Sequence, residues 1–264
     1  MQKKKVLITG CGTGLGKMAA IALAKRGHIV YATTHFEIES QELNQIAKKE
    51  HLLLHAFKLD ILLQEDREKI RKLDFDTLIS NAGISISGSI AEISIDSLKD
   101  IFETNVFCNI QLIQIALEKM IQQQNGRIIV LSSLLGRVSM PFMGPYSMTK
   151  FSIESFVSAL RFELKLLNYP VEVCMIEPGA YATGFNKNSY LKKYDWMEKK
   201  SYFKNQLNQL KKQEEKIWNL LESKHFNSII KIYIKTVEKP RVKVRYTAPF
   251  LQGFFIQILR IFGM

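Results

Sequence analysis

The chain has 264 residues, 47% of them hydrophobic, which is enough apolar material for a full core in one α/β domain or two small ones and excludes a disordered class. Its formal net charge of +12 and pI near 9.5 would suit nucleic acid, an anionic membrane or an anionic cofactor. No basic stripe interleaved with aromatics and no zinc-finger or RNA-binding motif is present, and the lysines between 192 and 216 mix with glutamates as on a solvated helix face, so no nucleic-acid partner is expected.

Cys11, Cys108 and Cys174 lie far apart and in no Cys-x-x-Cys or Cys/His cluster. Neither a disulfide framework nor a metal site is expected, and a reducing, cytoplasmic setting is. The first apolar run, 6–8, is far too short for a signal-peptide core and reads as part of a strand over 5–8. Thr9-Gly10-Cys11-Gly12-Thr13-Gly14-Leu15-Gly16 follows, then an alanine-rich helix that stops at Gly27. In such a strand–loop–helix unit the glycines let the backbone approach a pyrophosphate, while the N–H groups and dipole of the helix start meet its charge. The spacing is Gly10-x-x-x-Gly14-x-Gly16 and not the commoner Gly-x-Gly-x-x-Gly.

A second strand over 29–34 would usually end in an acid that holds a ribose 2′-hydroxyl. Here the corner is Thr33-Thr34-His35, and the first acid, Glu37, opens the next helix. With no carboxylate to repel a 2′-phosphate and His35 available to bond one, NADP(H) is favoured over NAD(H). A helix follows over 39–50, a third strand over 51–57, a loop holding Asp60 and Ile61, and a short helix over 63–72. The fourth strand, 77–80, ends in Asn81-Ala82-Gly83, whose small residues suit the close approach of a flat ring or ribose.

The long helix expected over 96–121, capped by Ser94, contains Asn105. Asparagine is disfavoured in mid-helix, so Asn105 either bonds a backbone carbonyl or holds a water behind the site. A fifth strand over 127–133, a helix over 145–167 and a sixth strand over 171–177 complete the alternation. That pattern predicts right-handed βαβ crossovers in one α/β domain over 1–264, a Rossmann-type doubly wound parallel sheet with helices on both faces and ligands at the carboxyl ends of its strands.

Tyr146 and Lys150 are four residues apart, on one helix face. An ammonium beside a phenol favours the phenolate and would lower a tyrosine pKa that is ordinarily about 10. Ser133 comes 13 residues earlier at a strand end, where its hydroxyl would bond the substrate oxygen that the tyrosine protonates.

Taken together, these motifs resemble the short-chain dehydrogenase/reductase family over about residues 5–183, with a weaker likeness to the end. The loop with Gly10, Thr13, Gly14, Leu15 and Gly16 resembles the family's cofactor loop, Asp60 with Ile61 its adenine-side acid, and Asn81-Ala82-Gly83 its Asn-Asn-Ala-Gly, Ser80 replacing the first Asn. Asn105, Ser133, Tyr146 and Lys150 match the catalytic tetrad in order and spacing, and Pro178-Gly179 with Thr183 the segment that contacts the nicotinamide carboxamide. The resemblance implies an oxidoreductase interconverting an alcohol and a carbonyl, the hydride belonging to the cofactor. Tyr146 is then the general acid in reduction and the base in oxidation. Lys150 lowers its pKa and bonds the nicotinamide ribose, Ser133 orients the substrate oxygen, and Asn105 binds a relay water. The Thr34-His35 corner departs from the Arg that NADP-dependent members often carry. Other readings are an acyl-carrier or small-carbonyl reductase and a non-catalytic dinucleotide-binding sensor; the intact tetrad argues against the sensor. A homo-oligomer, dimer or tetramer, is expected.

Residues 184–222 fall where that family places its substrate-binding insert. Leu207, Leu210, Ile217 and Leu221 are at helical spacing, and Tyr190, Tyr194, Trp196, Tyr202 and Phe203 precede them; they either line the site of a lipophilic alcohol or carbonyl of steroid, retinoid or lipid type or only pack the insert on the sheet as a lid. A last strand over 240–246 leads to an apolar helix over 249–264 with Arg260 as its one charge. The helix is too short to span a bilayer. It either packs on protein or lies on a membrane surface with Arg241, Lys243, Arg245 and Arg260 facing anionic lipid, and peripheral membrane contact is the favoured expectation.

Overall fold

The computed structural model describes residues 2–262; Met1 and the end of the expected C-terminal helix, Gly263-Met264, lie outside the described residues. Seven strands, β1 Lys5–Ile8, β2 Ile29–Thr34, β3 Leu54–Lys58, β4 Thr77–Ser80, β5 Gly126–Leu131, β6 Val171–Pro178 and β7 Arg245–Ala248, form one sheet in the order β3-β2-β1-β4-β5-β6-β7. Every pairing is parallel. The order reverses between β1 and β4, and a crevice opens there at the carboxyl ends of the strands.

The helices are α1 Gly14–Lys25, α2 Glu37–Lys49, α3 Gln64–Glu68, α4 Ile95–Phe102, α5 Cys108–Gln122, α6 Gly144–Leu166, α7 Phe185–Lys200, α8 Leu207–Leu221, α9 Asn227–Glu238 and α10 Phe250–Ile261. Strand side chains alternate between two buried faces, as a sheet covered on both sides requires. Val6 and Ile8 join Leu23, Ile229 and Tyr233 under α1 and α9. Leu7 joins Leu112, Val157 and Val173 under α5 and α6. Over one end, α7 and α8 form a lid in which Tyr190, Tyr194, Met197 and Trp218 pack on Met143 and Tyr146. Lys193 is 1% exposed and paired with Glu214, which also accepts the Tyr194 hydroxyl at 2.7 Å, so one buried cluster ties α7 to α8.

Several boundaries differ from expectation for local reasons. The helix expected over 96–121 is broken by a π turn at residues 103–107, which separates α4 from α5 and contains Asn105; Ser94 does cap it, accepting the Ser97 N–H at 3.1 Å. The third strand starts at Leu54, because His51 has a φ of +52° and closes the turn after α2. The fifth ends at Leu131, and Ser133 instead caps a 3-10 turn over residues 134–136. The last strand is 245–248, not 240–246. The sequence reading assigns nothing to residues 223–239, yet Ile229, Tyr233 and Val237 recur every four residues along one buried face of α9.

A buried charge cluster binds β6, β7 and α6 together. Glu177 is fully buried and accepts from Arg137 Nε at 3.0 Å, Arg245 Nε at 2.9 Å and Thr247 Oγ1 at 3.0 Å. Arg245 also donates to Glu154 at 2.8 Å, and Ser132 donates to the other oxygen of Glu154 at 2.9 Å. Burial, with Glu154 nearby, pushes the Glu177 carboxyl above its ordinary range despite Arg137. Removing one member leaves buried cations without their partner, at a cost of about 3–5 kcal/mol. Glu177→Ala should therefore lower the unfolding free energy by that amount, read as a lower urea midpoint at an unchanged m-value; an unshifted midpoint would show that the cluster does not hold the β6–β7 edge.

Candidate active site

The glycine loop joins β1 to α1. Thr13 at the helix start is extended and makes no side-chain cap bond, so the first N–H groups of α1 stay free to meet an anion. Gly10 has a φ of +69°, and a Cβ there would lie 2.8 Å from the Cα of Ala82, so only glycine lets the loop rest on the segment after β4. Asn81 joins the two: its N–H donates to Thr9 Oγ1 at 3.0 Å and its amide to the carbonyls of Thr9 and Gly10 at 2.8 and 3.1 Å. The buried Tyr233 hydroxyl donates to Asn81 Oδ1 at 2.8 Å. Asn81 thus ties the loops while it borders the site. Ser80, at the family's first Asn position, donates to Asn109 Oδ1 at 2.6 Å, and Asn109 in turn donates to Ala82 O at 3.1 Å.

One cavity of about 920 Å³ runs along this rim. Gly10, Thr13, Gly14, Leu15, Gly16, His35, Asp60, Ile61, Asn81, Ala82 and Gly83 border one part, and Ser133, Tyr146, Lys150, Pro178, Gly179 and Thr183 border another. Two expected residues do not. Thr34 is fully buried and its hydroxyl donates to Phe36 O at 2.9 Å, so it turns away from the corner. Asn105 is 2% exposed; its amide donates to Ile84 O at 2.8 Å and Thr149 Oγ1 at 3.2 Å, while Oδ1 accepts the Ile84 N–H at 2.8 Å. It positions the strand-end loop and presents no free amide hydrogen to a water.

The adenosine corner also differs from expectation. Glu39, in the first turn of α2, folds back to accept the Phe36 N–H at 3.1 Å, and its carboxylate packs over Gly12, where no side chain blocks it. Glu39 borders the cavity beside His35, whose Nδ1 is 3.6 Å from Asp60 Oδ2. The corner therefore does hold a carboxylate, 23 residues after Gly16, and supplies it from the helix instead of the strand end.

At the other end Lys150 Nζ donates to Leu131 O at 2.9 Å and sits 5.5 Å from the centroid of the Tyr146 ring. Burial pushes the Tyr146 phenol up to about 12, with the Ser133 hydroxyl acting the other way. Burial likewise lowers the Lys150 ammonium to about 8, opposed by Glu154 one turn on. The expected lowering of the phenol does not arise in the protein alone: the ammonium lies over the ring, and desolvation is the largest influence on the hydroxyl. Leu134, Leu135, Val138, Met140, Pro141, Phe185, Trp218, Leu221, Phe255, Ile256 and Leu259 complete the cavity near these groups with apolar surface.

Glu39 and Gln252 border the cavity, and Glu154 and Tyr233 brace it from behind through Ser132 and Asn81; the residue order marks none of the four. Gln252 reaches from α10 to accept the Ala180 N–H at 2.8 Å and to donate to Leu221 O at 2.7 Å. A dinucleotide fits these donors: the free start of α1 suits its pyrophosphate, the Glu39 corner a ribose diol, and the Tyr146 end the ring whose hydride chemistry it would supply when bound.

A lysine whose folded pKa lies below its unfolded value destabilises the fold wherever the unfolded chain holds the extra proton. For Lys150 the cost is full below about pH 8, shrinks as pH rises towards 10.5 and then disappears. Lys150→Met should stabilise the protein by on the order of 3 kcal/mol at pH 7 while removing turnover, and urea titrations at pH 7 and pH 10 should show the gain fading. A variant less stable than wild type at both pH values would contradict the assignment.

A family model described as short chain dehydrogenase matches residues 4–193. A 3-ketodihydrosphingosine reductase of Bacteroides thetaiotaomicron is 32% identical over 190 residues, which cover 71% of this chain and 68% of that protein. Retinol dehydrogenase 8 of Homo sapiens is 30% identical over 190 residues, 69% of this chain and 60% of that protein. A short-chain dehydrogenase/reductase from Burkholderia phymatum in complex with NAD matches in fold with a TM-score of 0.81 at 17% identity, covering 97% of this chain and 92% of that one. The glycine loop, the Ser133, Tyr146 and Lys150 group and these matches coincide, and the chain belongs to the short-chain dehydrogenase/reductase family.

Proposed function

We propose that the protein interconverts a lipophilic alcohol and its carbonyl with a nicotinamide dinucleotide, Tyr146 acting as general acid and base. The observation that carries this reading is the single cavity in which a glycine loop leads to Ser133, Tyr146 and Lys150 and then to an apolar wall. In reduction the Tyr146 hydroxyl gives its proton to the substrate oxygen, which the Ser133 hydroxyl holds by a second hydrogen bond. Burial keeps the phenol protonated through neutral pH, the form that a donor needs. Lys150, anchored on Leu131 O, borders the same cavity and would bond the nicotinamide ribose. Asn105 acts one step back, as a positioning residue for Ile84 and its loop.

The apolar wall supports a steroid, retinoid or lipid-like substrate, and two relatives are named for substrates of that kind, a ketodihydrosphingosine and a retinol. For the cofactor, the sequence favours NADP(H) on the grounds that no acid stands at the corner and that His35 could bond a 2′-phosphate. Glu39 removes the first ground, and His35 turns its Nδ1 to within 3.6 Å of the Asp60 carboxylate. A carboxylate over Gly12 accepts from a ribose diol and repels a 2′-phosphate, so the reading becomes NAD(H) over NADP(H).

Initial rates with NADH and NADPH against lipophilic ketones and aldehydes and their short-chain counterparts test both parts. The expected result is a kcat/KM that rises with the apolar size of the substrate and is at least about tenfold higher with NADH, a difference of 1.4 kcal/mol. Glu39→Gln should narrow the cofactor preference. A preference for NADPH that Glu39→Gln leaves unchanged contradicts the corner assignment; equal rates on short and bulky substrates contradict the lipophilic reading.

A further inference from the structure

We infer that the outer face of α10 docks on an anionic lipid bilayer and that the substrate cavity opens beside it into the lipid. The docking stands on the surface itself; only the entry route rests on the lipophilic reading above.

Helix α10 carries apolar side chains on two sides. Phe255, Ile256 and Leu259 border the substrate cavity, and Gly253 is its one fully buried residue. Away from the cavity, Phe250 and Leu251 are each 77% exposed, Phe254 is stacked on Phe250 at 6.3 Å, and Ile261 is exposed beyond them. Leu220, 85% exposed, adjoins Leu221, whose carbonyl Gln252 bonds. Such a set of exposed apolar side chains along one helix marks an interaction surface, because water gains nothing from it.

The helix is also held in place. Gln252 bridges the segment after β6 to the end of α8, and Gln257 accepts from Arg137 Nη1 at 3.0 Å. These bonds fix α10 across the mouth with its aromatic row facing outward. Its 12 residues span about 18 Å, short of the ~30 Å hydrocarbon core, and no described helix is long and apolar enough to cross a membrane. An amphipathic helix of this kind lies in the interface plane.

Charge selects the lipid. The segment 249–262 holds Arg260 and no acid, exposed Lys187 and Lys192 stand on the α7 side of the cavity, exposed Lys224 follows α8, and the whole chain is +12. Of the four cations expected from the sequence to face lipid, only Arg260 lies on the helix. Arg245 is consumed by Glu154 and Glu177, and Arg241 and Lys243 precede the start of β7 while α10 leaves its other end.

Vesicle flotation tests the inference with the full chain and phosphatidylcholine vesicles with or without 30% phosphatidylserine. The expected result is binding to the phosphatidylserine vesicles at low salt that weakens as salt is added, a loss of at least roughly tenfold in partitioning for Leu251→Glu/Phe254→Glu, and a loss of about fivefold or more for Arg260→Glu. Both variants should keep the wild-type circular dichroism and turnover of a water-soluble carbonyl, since none of the three positions borders the cavity. A wild type that stays unbound at low salt overturns the docking. So does a double variant that binds as well as wild type, or one that only splits a larger oligomer by light scattering, which would make the patch a contact between copies. Vesicle binding without preference for lipophilic substrates would keep the docking and remove the lipid entry route.

Discussion

A lysine in a buried position beside a tyrosine is the constraint from which the rest of this site follows. Burial draws the ammonium of Lys150 down to about 8, and the structure answers with one fixed acceptor, Leu131 O at 2.9 Å, and one nearby carboxylate, Glu154. Glu154 is itself held by Ser132 and Arg245, Arg245 by Glu177, and Glu177 by Arg137, which reaches Gln257 on α10. The buried acids are thus all paired, as a low-dielectric interior demands. The two acids stand on α6 and β6, their partners come from β7 and the segment after β5, and Arg137 carries the network on to α10, so the chemistry of Lys150 and the packing of the C-terminal third of the chain depend on one network.

At the other end of the cavity the governing feature is close approach. The glycine loop touches the segment after β4 so tightly that Asn81 can bond Thr9 and Gly10 from across the sheet, and Tyr233 on α9 fixes the orientation of that amide. An element near the chain's end therefore shapes a loop near its beginning. The free N–H groups at the start of α1 gain a defined direction from this brace, which is what an anion site needs from a flexible glycine sequence.

Much of this was legible in the residue order. The alternation of short apolar runs with amphipathic ones predicts the parallel doubly wound sheet, because periods of 2 and 3.6 reflect which faces must be buried. Tyr146, Lys150, Ser133 and the glycines lie where their spacing places them. What was not legible depends on contacts distant in sequence or on exceptions to local rules. Glu39 reaches Gly12 only because its side chain folds back on the Phe36 N–H, and no offset along the chain marks that. The role of Asn105 depends on a π turn that helical periodicity cannot show. The ion pairs of Arg245 join residues 68 and 91 positions away. α9 could have been found from Ile229, Tyr233 and Val237, but its bond to Asn81 could not.

The central claim is that Tyr146 moves the proton while the rest of the site only binds and orients. The direct measurement is turnover and cofactor dissociation constant for wild type and Tyr146→Phe on the same reducible carbonyl. The phenyl ring keeps the packing against Phe185 at 5.9 Å and loses only the hydroxyl. The account predicts a fall in kcat of about 10²–10⁴-fold with cofactor affinity changed by less than about threefold. Near-normal turnover in Tyr146→Phe would contradict it.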